Sequence, residues 1–343
     1  MNRYQRQTAL PEIGQAGQQR LTNSHVLVIG CGGLGGPVAA YLAGAGVGTL
    51  TLVDGDKPEE SNLHRQVFFQ TGATENKAVL LARHCSLLNP GTRVRAHESY
   101  LEASNAKALI EAADLVVECS DHAATKHLVN DACHLLKTPL VYAAVHKYEG
   151  YLAVFPNESP DDLHLRDLFP EPDPTLPDCA TAGVLPTAVG IVALLQANAA
   201  LCYLLNIGDP PVRQLLTYNA LDNHQHRLKL RKNYHKPVPE PWKKDKLSRA
   251  DLETDATLAD LPNYDLVFSM LDEQQEPELP DGVIRLTKRN PFGQCLERME
   301  PSGKYLLYCN SGKLSLMLAS QIRKHDPEIG VLSLRTGRLG VRS

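Results

Sequence analysis

Val26-Leu27-Val28-Ile29-Gly30-Cys31-Gly32-Gly33-Leu34-Gly35 is an apolar strand that runs into a glycine-rich turn and opens a helix. The arrangement cradles phosphate, because the first N–H groups of a helix lack intrahelical partners and face an anion. Gly30 permits a tight turn, Gly32 lets the backbone approach a phosphate, and Gly35 lets the helix pack close to the strand, with Gly33 and Leu34 completing the turn. The next strand, Thr49-Leu50-Thr51-Leu52-Val53-Asp54, ends nineteen residues past Gly35 in a carboxylate placed to hold a ribose hydroxyl. These residues read as a nucleotide site and leave the nucleotide open.

Outward from that turn, helical and extended patterns alternate through the first 230 residues. HVLVIG, TLTLVD, DLVVECS and PLVYAAV read as buried strands, and NKAVLLARHCSLL and ATKHLVNDACHLL as helices. The order predicts an α/β fold, a doubly wound Rossmann-like sheet that is mostly parallel, with ligands at the carboxyl ends of the strands. GYLAVFP and QLLTYNAL, on either side of an apolar helix at 186–205, predict an antiparallel extension. Residues 157–178, rich in proline and acid, are expected to cross the surface as a loop. RKNYHKPVPEPWKKDK (231–246) reads as a linker. The expected organisation is a nucleotide-binding domain at 1–230, this linker, and a small α/β domain at 247–343 built on YDLVFSML, KYLLYCN and LSLMLASQIRKH.

The 343 residues are 43% hydrophobic and 22% charged, with a net charge of -4, as expected of a globular chain rather than a polyanion binder. Nucleic acid is therefore not the expected partner. The opening MNRYQRQTAL lacks a signal core, and no segment is read as a membrane span, so the expected location is the cytoplasm. None of the eight cysteines forms a C-x-x-C pair, and no zinc site is expected. Most of them, Cys119 and Cys202 included, read as small buried hydrophobes.

Downstream of Asp54 come Asp56, then Ser61-Asn62-Leu63-His64-Arg65-Gln66, then Lys77, then Asp121 after the fourth core strand. A dehydrogenase binding a nicotinamide cofactor explains the glycine turn and Asp54 but leaves Arg65, Lys77 and Asp121 idle. A triphosphate uses all three: the cations offset charge at the reacting phosphorus, and Asp121 offers a hard oxygen to Mg²⁺. Asp56 is either a ligand or a cap of its turn.

With R-Y-x-R-Q at 3–7, G-x-G-G-L-G at 30–35, D-x-D at 54–56, S-N-L-x-R-Q at 61–66, Lys77, S-D at 120–121 and C-A-T-A-G-V-L-P at 179–186, the chain resembles the MoeB/ThiF family of ubiquitin-activating-enzyme-like adenylyltransferases. The resemblance implies a homodimer that binds ATP and Mg²⁺ and adenylates the Gly-Gly tail of a small ubiquitin-fold sulfur carrier (MoaD/ThiS-like). It implies that Asp54 binds the ribose, that Asn62, Arg65, Gln66 and Lys77 serve the nucleotide, that Asp121 holds the metal, and that Arg6 reaches the ATP of the partner subunit. The same activation with another acceptor, a peptide or a tRNA base, is the alternative.

Many family members bind a structural zinc through two C-x-x-C pairs. Here the corresponding stretches read LHLRDLFP and RKNYHKPVP, so the stability has to come from packing or dimer contacts. By its position before a helix, Cys179 is either a nucleophile that bonds to the carrier or a structural residue. The C-terminal part resembles a rhodanese domain in its strand, C-x-x-G-x-x-S loop (Cys309 to Ser315) and helix. Leu314 stands where rhodaneses usually have an arginine, and Ser269-Met270-Leu271 replaces the expected D-V-R. Cys309 is then either a persulfide carrier, with a sulfur donor protein as partner, or part of a docking domain.

Overall fold

The computed structural model describes residues 3–172, 183–242, 249–287, 289–326 and 328–335. The chain forms two compact units, Met1–Trp242 and Lys243–Ser343.

In the first unit two short helices, α1 (Gln5–Thr8) and α2 (Gly14–Asn23), precede β1 (His25–Ile29), α3 (Gly35–Ala45) and β2 (Thr49–Val53). Then come α4 (Lys77–Leu88), β3 (Arg93–His97), α5 (Ala103–Glu111), β4 (Leu115–Glu118), α6 (Ala123–Leu136) and β5 (Leu140–His146). The run ends with β6 (Glu149–Phe155), α7 (Pro186–Leu205), β7 (Gln214–Asn219) and β8 (His224–Lys229). The eight strands lie in the order β3-β2-β1-β4-β5-β6-β7-β8, the first five parallel and the last three antiparallel.

Strand β1 is buried on both faces, which is why its sequence is an unbroken apolar run. Val26 and Val28 enter a core built with α3, α4 and α7, while Leu27 and Ile29 enter another built with α5 and α6. Register then places the site. Ile29 pairs with Val53 on one side and with Glu118 on the other, so Gly30, Asp54 and Cys119 leave the sheet side by side. They do so where the strand order reverses, the position at which doubly wound sheets bind ligands.

Helix α7 is an apolar run of 20 residues, long and apolar enough by composition to cross a membrane, contrary to the expectation that no segment would be. Its apolar content has another use here: Ala188, Val192, Ala193, Ala197 and Ala200 are buried against α3 and the sheet. Strand β3 carries few apolar residues because it lies at the exposed sheet edge, where no hydrophobic run is required.

The segment expected as a surface loop departs most from its reading. Residues Leu163–Asp167 are buried and end in a 3₁₀ turn. Arg166 forms a bidentate ion pair with the buried Asp131 at 2.8 and 2.7 Å. Asp167 accepts backbone N–H groups from His164 (3.0 Å), Asn233 (2.8 Å) and Tyr234 (2.9 Å). Those last contacts draw 231–242 onto the first unit, where Tyr234 is buried and Trp242 packs on the core, so most of the expected linker belongs to the domain. The stretches LHLRDLFP and RKNYHKPVP are thus joined by a buried carboxylate and aromatic packing. This is more specific than the packing or dimer contacts expected above.

The second unit has a five-stranded parallel sheet with the order β11-β10-β12-β13-β9: β9 (Glu253–Thr254), β10 (Leu266–Ser269), β11 (Val283–Arg285), β12 (Lys304–Tyr308) and β13 (Gly330–Leu334). Its helices are α8 (Arg249–Leu252), α9 (Pro291–Leu296) and α10 (Lys313–His325). Successive residues of β12 serve opposite cores, Leu307 with Phe268 and Ile322, Leu306 with Val267 and Leu334. Helix α10 follows β12 after a four-residue loop, Cys309–Gly312.

The His164 ring lies 4.6 Å from that of His134 and 5.7 Å from that of Tyr234. Burial and the neighbouring His134 push its pKa down to about 4, and burial lowers that of His134. In the unfolded chain both histidines titrate near the ordinary value, about 6.5, so the unfolded state takes up protons first as pH falls. Stability from this cluster is therefore present above about pH 6.5 and lost toward about pH 4. Urea unfolding across that window should show the advantage of the native protein over His164→Gln growing with pH. A difference that stays flat would contradict the buried neutral pair.

Candidate functional site

The phosphate turn is held by its neighbours on both sides. Gly30 has a φ of +88°, and a Cβ there would lie 2.9 Å from the carbonyl of Cys119 and the amide of Ser120. A Cβ on Gly35 would lie 1.9 Å from the Gly30 carbonyl, so the first turn of α3 sits directly on the strand end. Cys31 donates its N–H to Asp54 Oδ2 at 2.7 Å, and Asp56 donates to Oδ1 at 2.8 Å. Burial raises the Asp54 pKa, and these two bonds work in the opposite direction. Asp54 therefore fixes the turn from the end of β2. Gly33 and Leu34 lead into the helix, with Gly33 close to Val189 of α7 and the stem of Arg65.

Two cations flank the turn. Arg65 is held by Asn62, whose Oδ1 accepts from Nη2 at 2.6 Å. Lys77 is buried at the first position of α4, where Asn76 caps the helix by accepting the Ala78 N–H at 2.8 Å. The Asn76 amide also donates to the Asp54 carbonyl at 2.9 Å, tying the helix start to the end of β2. Lys77 Nζ lies 3.3 Å from Asp56 Oδ2, and the Tyr100 hydroxyl donates to the other oxygen of that carboxylate. Asp56 thus orients the lysine. Gln66 is buried against Gly32, and its Oε1 has no hydrogen-bond partner among the described residues, which suits a polar ligand over the turn.

Asp121 is exposed, just past the carboxyl end of β4 and one residue beyond the amide that meets Gly30. Beneath it is a buried polar network. The Glu118 carboxylate accepts from the Ser120 N–H at 2.8 Å, from the Ser120 hydroxyl and from Lys126. Lys126 also donates to the Ala143 carbonyl at 2.9 Å. Burial works against the lysine's charge, but the facing Glu118 outweighs it and the Lys126 pKa is raised. Gln196 of α7 donates to the Glu118 carbonyl at 2.7 Å and accepts from the Cys119 thiol at 3.4 Å. Sequence reading passed over Glu118, Lys126 and Gln196. The available signal was charge inside apolar patterns: Lys126 shares the buried face of α6 with Val129 and Cys133.

The remaining candidates lie apart. Arg6 is exposed on α1, whose Gln7 donates to the Ala45 carbonyl at 2.9 Å. That carbonyl is at the far end of α3, roughly 16 Å from the turn for an 11-residue helix. Cys179 lies outside the described residues. Cys309 is buried, and its sulfur accepts from the Ser315 N–H at 3.5 Å and the Ser315 hydroxyl at 3.3 Å. Cys31, Cys85, Cys119, Cys133 and Cys295 are buried, with Cys85 and Cys295 each pushed up to about 12, whereas Cys202 is only half-buried.

Residues 4–238 match the ThiF family. The chain belongs to that family. It is 42% identical over 247 residues to a sulfur carrier protein adenylyltransferase of Thermus thermophilus, covering 69% of this chain and 90% of that one. It is 40% identical over 241 residues to the SAMP-activating enzyme E1 of Haloferax volcanii, covering 69% and 88%. With a probable adenylyltransferase/sulfurtransferase MoeZ of Mycobacterium tuberculosis it shares 41% identity over 236 residues, 67% of this chain but only 60% of that protein. The E. coli MccB structure with MccA-N7isoASN superimposes at a TM-score of 0.60 and 21% identity, over 71% of this chain and 75% of that one, a likeness of fold. As a ThiF-family chain it is an adenylyltransferase, an enzyme that uses ATP.

The donor set fits magnesium as well. Mg²⁺ usually takes one or two carboxylates and draws its other oxygens from substrate phosphates and water, and Asp121 offers one carboxylate beside the phosphate turn. In a ThiF-family site built this closely, a methyl group at Gly35 forces the turn away from the strand. Gly35→Ala should cost about 1–3 kcal/mol of stability and weaken ATP binding at least roughly tenfold. Native Tm together with native ATP affinity in that variant would contradict the close approach.

Proposed function

We propose that this chain adenylates the C-terminal Gly-Gly carboxylate of a small ubiquitin-fold sulfur carrier, with Mg²⁺ as the metal and a second copy of the chain completing each site. The observation that carries the proposal is the convergence of Arg65, Lys77 and Asp121 on one phosphate turn, together with the carrier-activating names of similar proteins. A carboxylate is already ionised at neutral pH, so no general base is required, and catalysis is positioning and charge stabilisation. The tail carboxylate attacks the α-phosphorus of ATP, the bond to pyrophosphate breaks, and an acyl-adenylate forms. Arg65 and Lys77 stabilise the charge on the phosphate oxygens, Asp54 and Gln66 hold the nucleoside side, and Asp121 binds the metal, which offsets triphosphate charge when bound.

The position of Arg6 supports the dimer. It stands at the far end of α3 from its own turn, so any role in ATP binding falls on a partner's site. The second unit supports sulfur handling: Cys309 opens the loop between β12 and α10 of an all-parallel sheet, with Ser315 donating to its sulfur. In this reading Cys309 carries persulfide sulfur from a donor protein, and the Cys179 thiolate attacks the acyl-adenylate, forming a thioester with the carrier as AMP leaves.

Arg65→Ala and Lys77→Ala should each lose about 3–4 kcal/mol of transition-state stabilisation in carrier-dependent ATP–pyrophosphate exchange. Near-native exchange in both would remove the assignment. Cys179→Ser should leave exchange intact while abolishing carrier conjugation or sulfur transfer, and unchanged sulfur transfer would make that cysteine structural. ³⁵S from thiosulfate should label the full-length protein and not Cys309→Ala; absence of label on the native protein would make the second unit a docking domain.

A further inference from the structure

We propose that Glu118 and Lys126 are positioning residues: their buried ion pair braces the 118–121 turn and so sets where Asp121 presents its carboxylate to a metal-bound triphosphate. The inference rests on the reading of Asp121 given above and extends it to residues that touch neither nucleotide nor metal.

The geometry of the pair is unlike that of an ordinary core ion pair. Glu118 is fully buried, yet two of the three hydrogen bonds to its carboxylate come from Ser120, in the turn, rather than from the core. The third comes from Lys126 on α6, which also reaches the Ala143 carbonyl of β5 and lies 5.2 Å from the Tyr142 ring. From α7, Gln196 holds the backbone of the same turn at the Glu118 carbonyl and also donates to the Val141 carbonyl at 3.2 Å. The turn is therefore gripped from α6, β5 and α7, and Asp121 is the next side chain to emerge.

The opposite side of the turn bears on the phosphate loop, since the Cys119 carbonyl and Ser120 amide stand where a Cβ of Gly30 would be. Movement at Ser120 thus displaces the metal carboxylate and the phosphate cradle together. Desolvation makes a buried ion pair a poor source of stability compared with an apolar pair of the same shape. Residues that orient a metal ligand from behind, by contrast, change metal affinity roughly 10–100-fold when altered.

The test uses the full-length protein and the double variant Glu118→Gln/Lys126→Met, which leaves no unpaired buried charge. Two readouts are taken: the first reports whether the brace holds the turn, and the second, the Mg²⁺ requirement set against the KM for the carrier, is the one a purely structural role would not move. In metal-free, nucleotide-free protein, hydrogen exchange at the Ser120 amide should be at least roughly tenfold faster than in the native protein. In ATP–pyrophosphate exchange, the half-saturating Mg²⁺ concentration should rise roughly 10–100-fold while the KM for the carrier stays within about twofold. The single variant Lys126→Arg, with Glu118 intact, should keep both readouts near native, because it preserves the ion pair.

Asp121→Asn is the reference. It should raise the Mg²⁺ requirement in the same direction without changing exchange at Ser120. If Asp121→Asn shifts the Mg²⁺ requirement and the double variant does not, the brace is overturned and the assignment of Asp121 stands. If Asp121→Asn leaves the Mg²⁺ requirement native, both are overturned. A double variant with a lowered Tm but native Ser120 exchange and native Mg²⁺ dependence assigns the pair to stability alone and overturns the proposal.

Discussion

The pairing of Ile29 with both Val53 and Glu118 is the constraint on which the rest of the first unit depends. It ends three strands at one level, so that the glycine turn emerges between Asp54, which it bonds through the Cys31 N–H, and the acidic turn, whose 119–120 backbone packs against Gly30. A one-residue slip of either neighbour would reverse the faces of its side chains and move Asp54 or Asp121 away from the turn. The two cores prevent such slips, because β1 sends alternate residues into each and has no polar face to expose. Hydrophobic packing thereby fixes polar chemistry at the ångström level, although none of the packed residues takes part in it.

Buried charge is used twice in this unit, in different ways. At the Arg166–Asp131 and Asp167 cluster, charged side chains join segments far apart in sequence, with Asp167 accepting from the backbone of 233 and 234. Truncating a partner there leaves a stranded charge, so such a cluster enforces one arrangement even where its net contribution to stability is small. At Glu118 and Lys126 the same kind of pairing is turned toward the surface, with Ser120 as the beneficiary. The first cluster closes the domain, and the second shapes the turn that packs against Gly30.

Much of the site was legible because its chemistry is local. The turn at 30–35 announces itself by glycine spacing, Asp54 by its place at a strand end, and Arg65 and Lys77 by their order after the turn. Helix α7 and the antiparallel strands β6 and β7 were legible from apolar runs. What escaped is non-local. His164, Arg166 and Asp167 sit in a proline-rich acidic stretch that reads as loop, and only their partners at 131, 233 and 234 make it core. Lys126 draws no notice in the sequence until Glu118, eight residues earlier on a strand, is seen to face it. Strand β3 has no apolar pattern because an edge strand needs none, and its pairing with β2 is visible only in the fold.

The proposed function requires the turn at 30–35 to present ATP to a protein carboxylate. Intact-mass measurement tests it most directly, with this protein, ATP, Mg²⁺, pyrophosphatase and a candidate carrier ending in Gly-Gly. The carrier should become heavier by one AMP moiety, bound through its terminal carboxylate, with no adduct on a carrier lacking the final glycine. ATP consumption without any AMP on the carrier, or an AMP adduct that persists after the tail is removed, would contradict it.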